Sequence, residues 1–84
     1  MAREFIASTW LYKTSDPIDF IKETQERFVS IEAFFSDENS AKAGLVQKAR
    51  NTDSSCNVVF DASWFRSGST FIMKGKLVRA KFAA

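Results

Sequence analysis

Few residues in this chain could do chemistry. It holds one thiol, Cys56, and no histidine. Without an imidazole there is no Ser–His or Cys–His relay, and the commonest transition-metal ligand is missing. One cysteine cannot form an intramolecular disulfide. Cys56 opens an apolar run with no basic residue beside it, so it reads as a small buried side chain, not as an activated nucleophile. Glu32 lies in an apolar stretch and reads as an outward-facing strand residue. No P-loop, dinucleotide fingerprint, metal-ligand spacing or paired-carboxylate motif occurs. The sequence therefore predicts no enzyme, no cofactor, no metal and no small-molecule substrate.

Charge says more. The chain has 84 residues and a net charge of +2. Up to residue 61 it carries seven bases against ten acids, a net of −3; from 62 onward it carries five bases and no acid, a net of +5. Residues 16–38 hold seven acids and two bases, a net of −5. Arg66, Lys74, Lys76, Arg79 and Lys81 could track phosphates along the C-terminal strand, with Trp10, Tyr12 and Trp64 as a stacking platform for bases. Edge protection by lysine and core use of the aromatics explain the same residues without nucleic acid. The acidic 16–38 region could act as a polyanion mimic in a small inhibitor or antitoxin-like protein.

These residues need elements to hold them. Residues 3–13 alternate with β-branched and aromatic types and predict one strand. Asp16 as N-cap and Pro17 as first helical residue predict a helix over 17–27, with Ile18, Ile21 and Phe28 on its apolar stripe. Residues 28–35 show period two (Val29, Ile31, Ala33 and Phe35 against Ser30, Glu32 and Phe34) and are read as a strand, with a continued helix as the alternative. A second helix is predicted over about 40–51, on Ala41, Leu45, Val46 and Ala49. Lys48 and Arg50 lie at its negative end.

The C-terminal hairpin carries the firmest register. With Ser67 and Gly68 central in the turn, Val58 meets Leu77, Phe60 meets Gly75, Ala62 meets Met73 and Trp64 meets Phe71. Asp61 meets Lys74 on the other face, a pair worth about 0.2–1 kcal/mol. That second face also carries Phe65, Ile72, Val78 and Phe82. An antiparallel pair with a solvated face should be more polar. Something in the monomer, or another chain, must cover it.

Residues 41–81 run as AKAGLVQKARN, then NVVFDASWF, a Ser-Gly break and FIMKGKLVRAK. This pattern resembles the C-terminal half of the YbjQ-type heavy-metal-binding domain family. Asn57-Val58-Val59 and Gly75-Lys76-Leu77-Val78 fall where that family has its two strands. The resemblance implies a helix packed on a strand pair and assembly into homo-oligomers. Ser55-Cys56 stands where the family has Gly-Ala, and its Gly-rich centre is missing, so no metal role is carried over.

The expected fold is a single α/β (α+β) domain over 1–84: a two-layer sandwich, β-α-β-α-β-β, with two helices on one face of a mixed or antiparallel sheet. The expected core is Phe5, Ala7, Leu11, Ile18, Ile21, Phe28, Leu45, Ala49, Val58, Phe60, Trp64, Phe71, Met73 and Leu77. No apolar run approaches the roughly 20 residues of a membrane span, and the N-terminus lacks a signal peptide's apolar stretch. A cytoplasmic protein is expected, acting as a protein-interaction module that forms homo-oligomers or binds one protein partner. Its interface is expected at Phe65, Ile72, Val78 and Phe82. Nucleic-acid binding by the basic hairpin is the alternative.

Overall fold

The computed structural model describes residues 3–33 and 37–82. Their order is β1 (Glu4–Ile6), β2 (Thr9–Lys13), β3 (Phe20–Lys22), β4 (Arg27–Ala33), α1 (Glu38–Thr52), β5 (Val58–Ser67), β6 (Thr70–Val78) and β7 (Ala80–Phe82). Five strands form a mixed sheet, β1-β2-β5-β6-β4, in which only β2 and β5 run parallel. β3 and β7 form a separate antiparallel ribbon. The fold is α+β with one helix among the described residues, not two.

Residues 3–13 are not one strand. Ala7 and Ser8 take positive φ values of 48° and 66°, and Ile6 pairs with Thr9. Both signs match a two-residue type I′ hairpin loop. β4 realises the period-two reading of 28–35, although 34–36 lie outside the described residues. α1 realises the second predicted helix and starts earlier, because the Asp37 carboxylate accepts from Ser40 N at 2.8 Å.

The helix expected over 17–27 does not form. Its signals are spent on other partners. The Asp16 carboxylate accepts from Lys13 N at 2.8 Å, closing a turn instead of starting a helix. Asp19 accepts from the Tyr12 hydroxyl and from Arg3. Thr24 Oγ1 accepts from Arg79 N at 3.0 Å. Phe20 buries itself between Tyr12 and Phe60, with ring centroids 5.1 and 5.6 Å away. Local propensity is a weak preference, and burial of a phenylalanine outweighs it.

The expected hairpin register also shifts. Gly68 and Ser69 are the central turn residues; Ser67 pairs with Thr70, Trp64 with Met73 and Phe65 with Ile72. Gly68 alone has positive φ (62°), the sign pattern of a type II′ turn. A β-bulge follows. Ser63 pairs with Lys74 and Phe60 with Lys76, so Asp61 and Ala62 together oppose Gly75. Asp61 takes φ 55° there. The bulge reverses which side chains face which way. Val59 and Leu77 point with Ala62 and Met73 toward α1, while Val58, Phe60 and Val78 point to the opposite face.

Two apolar clusters result. Leu11, Val29, Ala41, Leu45, Val46, Ala49, Val59, Met73 and Leu77 lie between sheet and helix. Tyr12, Phe20, Val58, Phe60, Val78 and Ala80 lie between the sheet and the β3–β7 ribbon, flanked by Trp10 and Phe82. The ribbon therefore covers part of the second face within the monomer. Five expected core residues are exposed instead: Phe5, Ala7, Ile18, Ile21 and Phe28. Ala7 is in a turn, and the others lack the helix that would have buried them or sit on outward strand positions. Trp64 and Phe71 are half-buried.

Candidate protein-interaction surface

The outer sheet face, opposite α1, has a covered end and an open end. At the covered end the ribbon sits over Val58 and Val78. Val78 is fully buried and Phe82 is half-buried against this cluster, so Val78 offers no surface to a partner. At the open end Phe65 pairs with Ile72, which pairs in turn with Glu32 of β4. Phe65 is 51% exposed, and Phe28 at the start of β4 is 81% exposed. Of the four expected interface residues, Phe65 and Ile72 lie together at the open end.

Phe28 belongs to this surface, although its spacing from Ile18 and Ile21 had put it in the core. The period-two phase of 28–35 already held the signal. Phe28 is in step with Ser30 and Glu32, the polar side of that run. Glu32 does face outward, beside Ile72.

The bulge shapes the middle of this face. A hollow of about 260 Å³ is lined by Phe28, Asp61, Ser63, Lys74, Gly75 and Lys76. Asp61 is answered by Lys76 at 3.4 Å, and not by Lys74 as the expected register required. Lys76 also lies 4.0 Å from Glu26 and 5.7 Å from the centre of the Phe28 ring. Lys74 stands between Ser63 and Ser30 and makes no ion pair among the described residues. The hollow therefore holds a neutralised Asp–Lys pair beside an aromatic ring.

The basic residues do not form one track. Arg66 lies at the hairpin tip, where its Nε donates to Gly68 O at 3.1 Å. Lys74 and Lys76 lie on the outer face. Arg79 sits at the joint between β6 and β7, 3.7 Å from Glu23, and Lys81 opposes Ile21 on the ribbon. Pairing of β3 with β7 and of β4 with β6 lays the acidic 16–38 region against the basic C-terminal strand. Charges separated along the chain are thus neighbours in space. The three aromatics also disperse. Tyr12 is buried, Trp10 packs 4.7 Å from Phe5, and Trp64 lies under the ammonium groups of Lys13 and Lys42.

Cys56 is buried, and burial pushes its thiol up to about 11, with Asp53 adding to the shift. It has the environment of an inert packing residue. Among the described residues no group of three His, Cys, Asp or Glu is placed to hold a metal ion, and no helix is long and apolar enough to cross a membrane.

Comparison with known proteins places the chain in no group. No family model, no curated protein and no solved structure matches it.

Proposed function

We propose that this chain is a small non-enzymatic protein-interaction module that self-associates through the open end of its outer sheet face. One observation carries the reading: Phe65 stays exposed at the end of the sheet that the ribbon leaves uncovered, with Ile72 beside it, while Phe28 is exposed on the same face at the other end of β4, level with Lys76 and Phe60. Large exposed apolar side chains grouped on one face are a feature of contact surfaces. Aromatic residues of this kind dominate interface energetics when a partner desolvates them. The cytoplasm is the proposed site of action, where a single free thiol stays reduced.

The nucleic-acid reading has less behind it. Lys76 and Arg79 are paired with carboxylates, and the remaining bases lie on separate elements.

Sedimentation velocity between micromolar and high micromolar concentration tests the proposal. The wild type is expected to shift to a larger species as concentration rises. Phe65→Ser combined with Ile72→Thr should weaken that shift by at least tenfold while leaving the circular dichroism spectrum intact. A wild type that stays monomeric at every concentration and salt level overturns self-association.

A further inference from the structure

Two neighbouring strands of the main sheet differ in length. β2 runs beside β5 only as far as Lys13, which pairs with Ala62, whereas β5 continues to Ser67. The Asp16 N–H donates to Lys13 O at 3.0 Å and turns the chain away from β5 at that point. Thr14 makes the last main-chain contact among the described residues: its N–H donates to Ala62 O at 3.1 Å. Beyond it, residues 63–67 of β5 have β6 on one side and, among the described residues, no strand on the other. The space that β2 vacates is a hollow of about 340 Å³ lined by Lys13, Thr14, Ser15, Ala62, Ser63 and Trp64. A free edge of this kind is a template for strand addition.

The register fixes which main-chain groups this edge leaves free. Ser67 and Thr70 flank a two-residue turn, so they exchange main-chain hydrogen bonds, and by alternation so do Phe65 with Ile72 and Ser63 with Lys74. The N–H and C=O of Trp64 and Arg66 therefore point the other way, to the free edge. The Ala62 carbonyl, in the same phase, points that way too, since it accepts from Thr14. Phe65 is the midpoint of 63–67, with Trp64 and Arg66 on either side of it, so the edge is complementary to itself. A two-fold axis at Phe65 sets Trp64 of one copy opposite Arg66 of the other, where they exchange N–H and C=O, and the symmetry repeats the exchange. An axis at Trp64 instead directs Arg66 at Ala62, whose carbonyl is already held by Thr14. An axis at Arg66 sets two guanidinium groups against each other. The axis at Phe65 sets no like charges directly opposite, and it brings Phe65 against Phe65 in the closer, non-hydrogen-bonded kind of pair.

We propose that a second copy adds through residues 63–67 of β5, antiparallel, with the axis at Phe65. This deepens the self-association reading and rests on it. Ile72 pairs with Phe65 within each chain, so the contact joins the two exposed pairs into one apolar row, Ile72–Phe65–Phe65–Ile72, across the outer face of the joined sheet. The surface that carries the self-association reading is thus the centre of the contact. On the other face Arg66 of each copy approaches the Trp64 ring of the other, which already lies 5.4 Å from the Lys13 ammonium. Two cations share that ring, so the Arg66 side chain does not hold the dimer together; its main chain does.

Two variants of Arg66 separate main chain from side chain. Arg66→Pro removes an N–H that no group among the described residues accepts from, and proline is tolerated on a strand edge. It should weaken dimerisation at least tenfold in sedimentation velocity while leaving the circular dichroism spectrum intact. Arg66→Ala keeps the N–H and loses the charge, so it should dimerise at least as tightly as the wild type. Cross-linking reads the axis. Phe65→Cys sets a thiol against its own copy with Cα atoms about 4.5 Å apart, within disulfide reach, and should oxidise to a covalent dimer. Ile72→Cys lies on the same face but three strand spacings from its copy, about 14 Å, and should cross-link at least tenfold more slowly. The buried Cys56 is present in every chain, and the wild type is the blank. If the wild type dimerises but Arg66→Pro dimerises equally, or Arg66→Ala weakens the dimer as much as Arg66→Pro, the edge pairing is overturned while self-association stands. The same holds if Ile72→Cys cross-links as fast as Phe65→Cys. Should Arg66→Pro fail to fold, the cysteine pair decides. A wild type that stays monomeric overturns both the pairing and the self-association reading.

Discussion

Asn57 holds Ala80 at both ends of its side-chain amide. Ala80 N donates to Asn57 Oδ1 at 2.8 Å, and Asn57 Nδ2 donates to Ala80 O at 3.0 Å. The Asn57 backbone N–H also donates to Val78 O at 3.3 Å. One residue thus spans the break at Arg79, where β6 ends and β7 turns away to pair with β3. Its amide orientation follows from the backbone groups it meets, one donor and one acceptor.

Asn57→Asp keeps the shape and the acceptor but loses the donor, leaving a carboxylate oxygen against a carbonyl. Stability is expected to fall by about 1–3 kcal/mol, read as a lower urea midpoint. Amide exchange should accelerate most in β3 and β7. An unchanged midpoint would show that the ribbon does not depend on this pin.

Gly75 is expected to tolerate no side chain. A Cβ there would lie 3.0 Å from Val59 Cγ1 and 3.2 Å from Phe60 O, the latter a backbone atom that cannot step aside. Gly75→Ala should cost about 1–3 kcal/mol, the usual cost of overpacking. Val59→Ala made in the same chain should recover part of the loss, since it removes one of the two obstacles. A double-mutant cycle measures that coupling.

Ala7 and Ser8 place two side chains in the left-handed region. For residues other than glycine this costs roughly 1–2 kcal/mol each. Ala7→Asn with Ser8→Gly supplies the residues that favour this turn. Stability should rise by about 1 kcal/mol, seen as an increase in Tm of roughly 4–8 °C.

Alkaline pH should destabilise the fold, and the sign follows from three groups. Burial raises the Tyr12 phenol, helped by its hydrogen bond to Asp19. Burial also holds the Cys56 thiol at about 11. For Lys42, burial pulls the ammonium down, but Glu4 at 2.7 Å and Glu38 at 3.3 Å reverse this and leave it raised. Each group binds more protons folded than unfolded between its two pKa values, so stability falls as pH rises there. The linked stability is whole below the unfolded values, about 8.5 for the thiol, 10 for the phenol and 10.4 for lysine. Urea midpoints should therefore hold from pH 7 to about 8 and decline above about 9. Tyr12→Phe should make the decline shallower.

Cys56 should react slowly with a thiol reagent at pH 8 in the folded protein and rapidly in denaturing urea. The raised pKa lowers the thiolate fraction, and burial blocks access. Fast labelling without denaturant would contradict the placement of this side chain.

Local patterns determined much of the chain. Asp37 and the Ala41, Leu45, Val46, Ala49 spacing specify α1. The period-two run specifies β4, and the apolar alternation specifies most of β5 and β6. Each depends on residues within one or two turns of one another. The bulge, the ribbon and the loss of the first helix were decided only by the tertiary structure. Gly75, a glycine inside a strand, is a local sign of a bulge, but Asp61 and Ala62 carry none, and only the strand pairing shows that these two together oppose it. Capping signals at Asp16 and a stripe at Ile18 and Ile21 describe an isolated helix well, but Phe20 gains more by covering Tyr12 and Phe60. The uncovered part of the outer face was legible in part, at Phe65 and Ile72. Val78 was lost to the ribbon and Phe28 was gained from the supposed core, because exposure depends on which other segment arrives to cover a face. Composition alone established the absence of histidine and of any disulfide within these 84 residues. Whether the apolar surplus is buried or presented was settled by the path of residues 20–22 and 80–82, which no local pattern encodes.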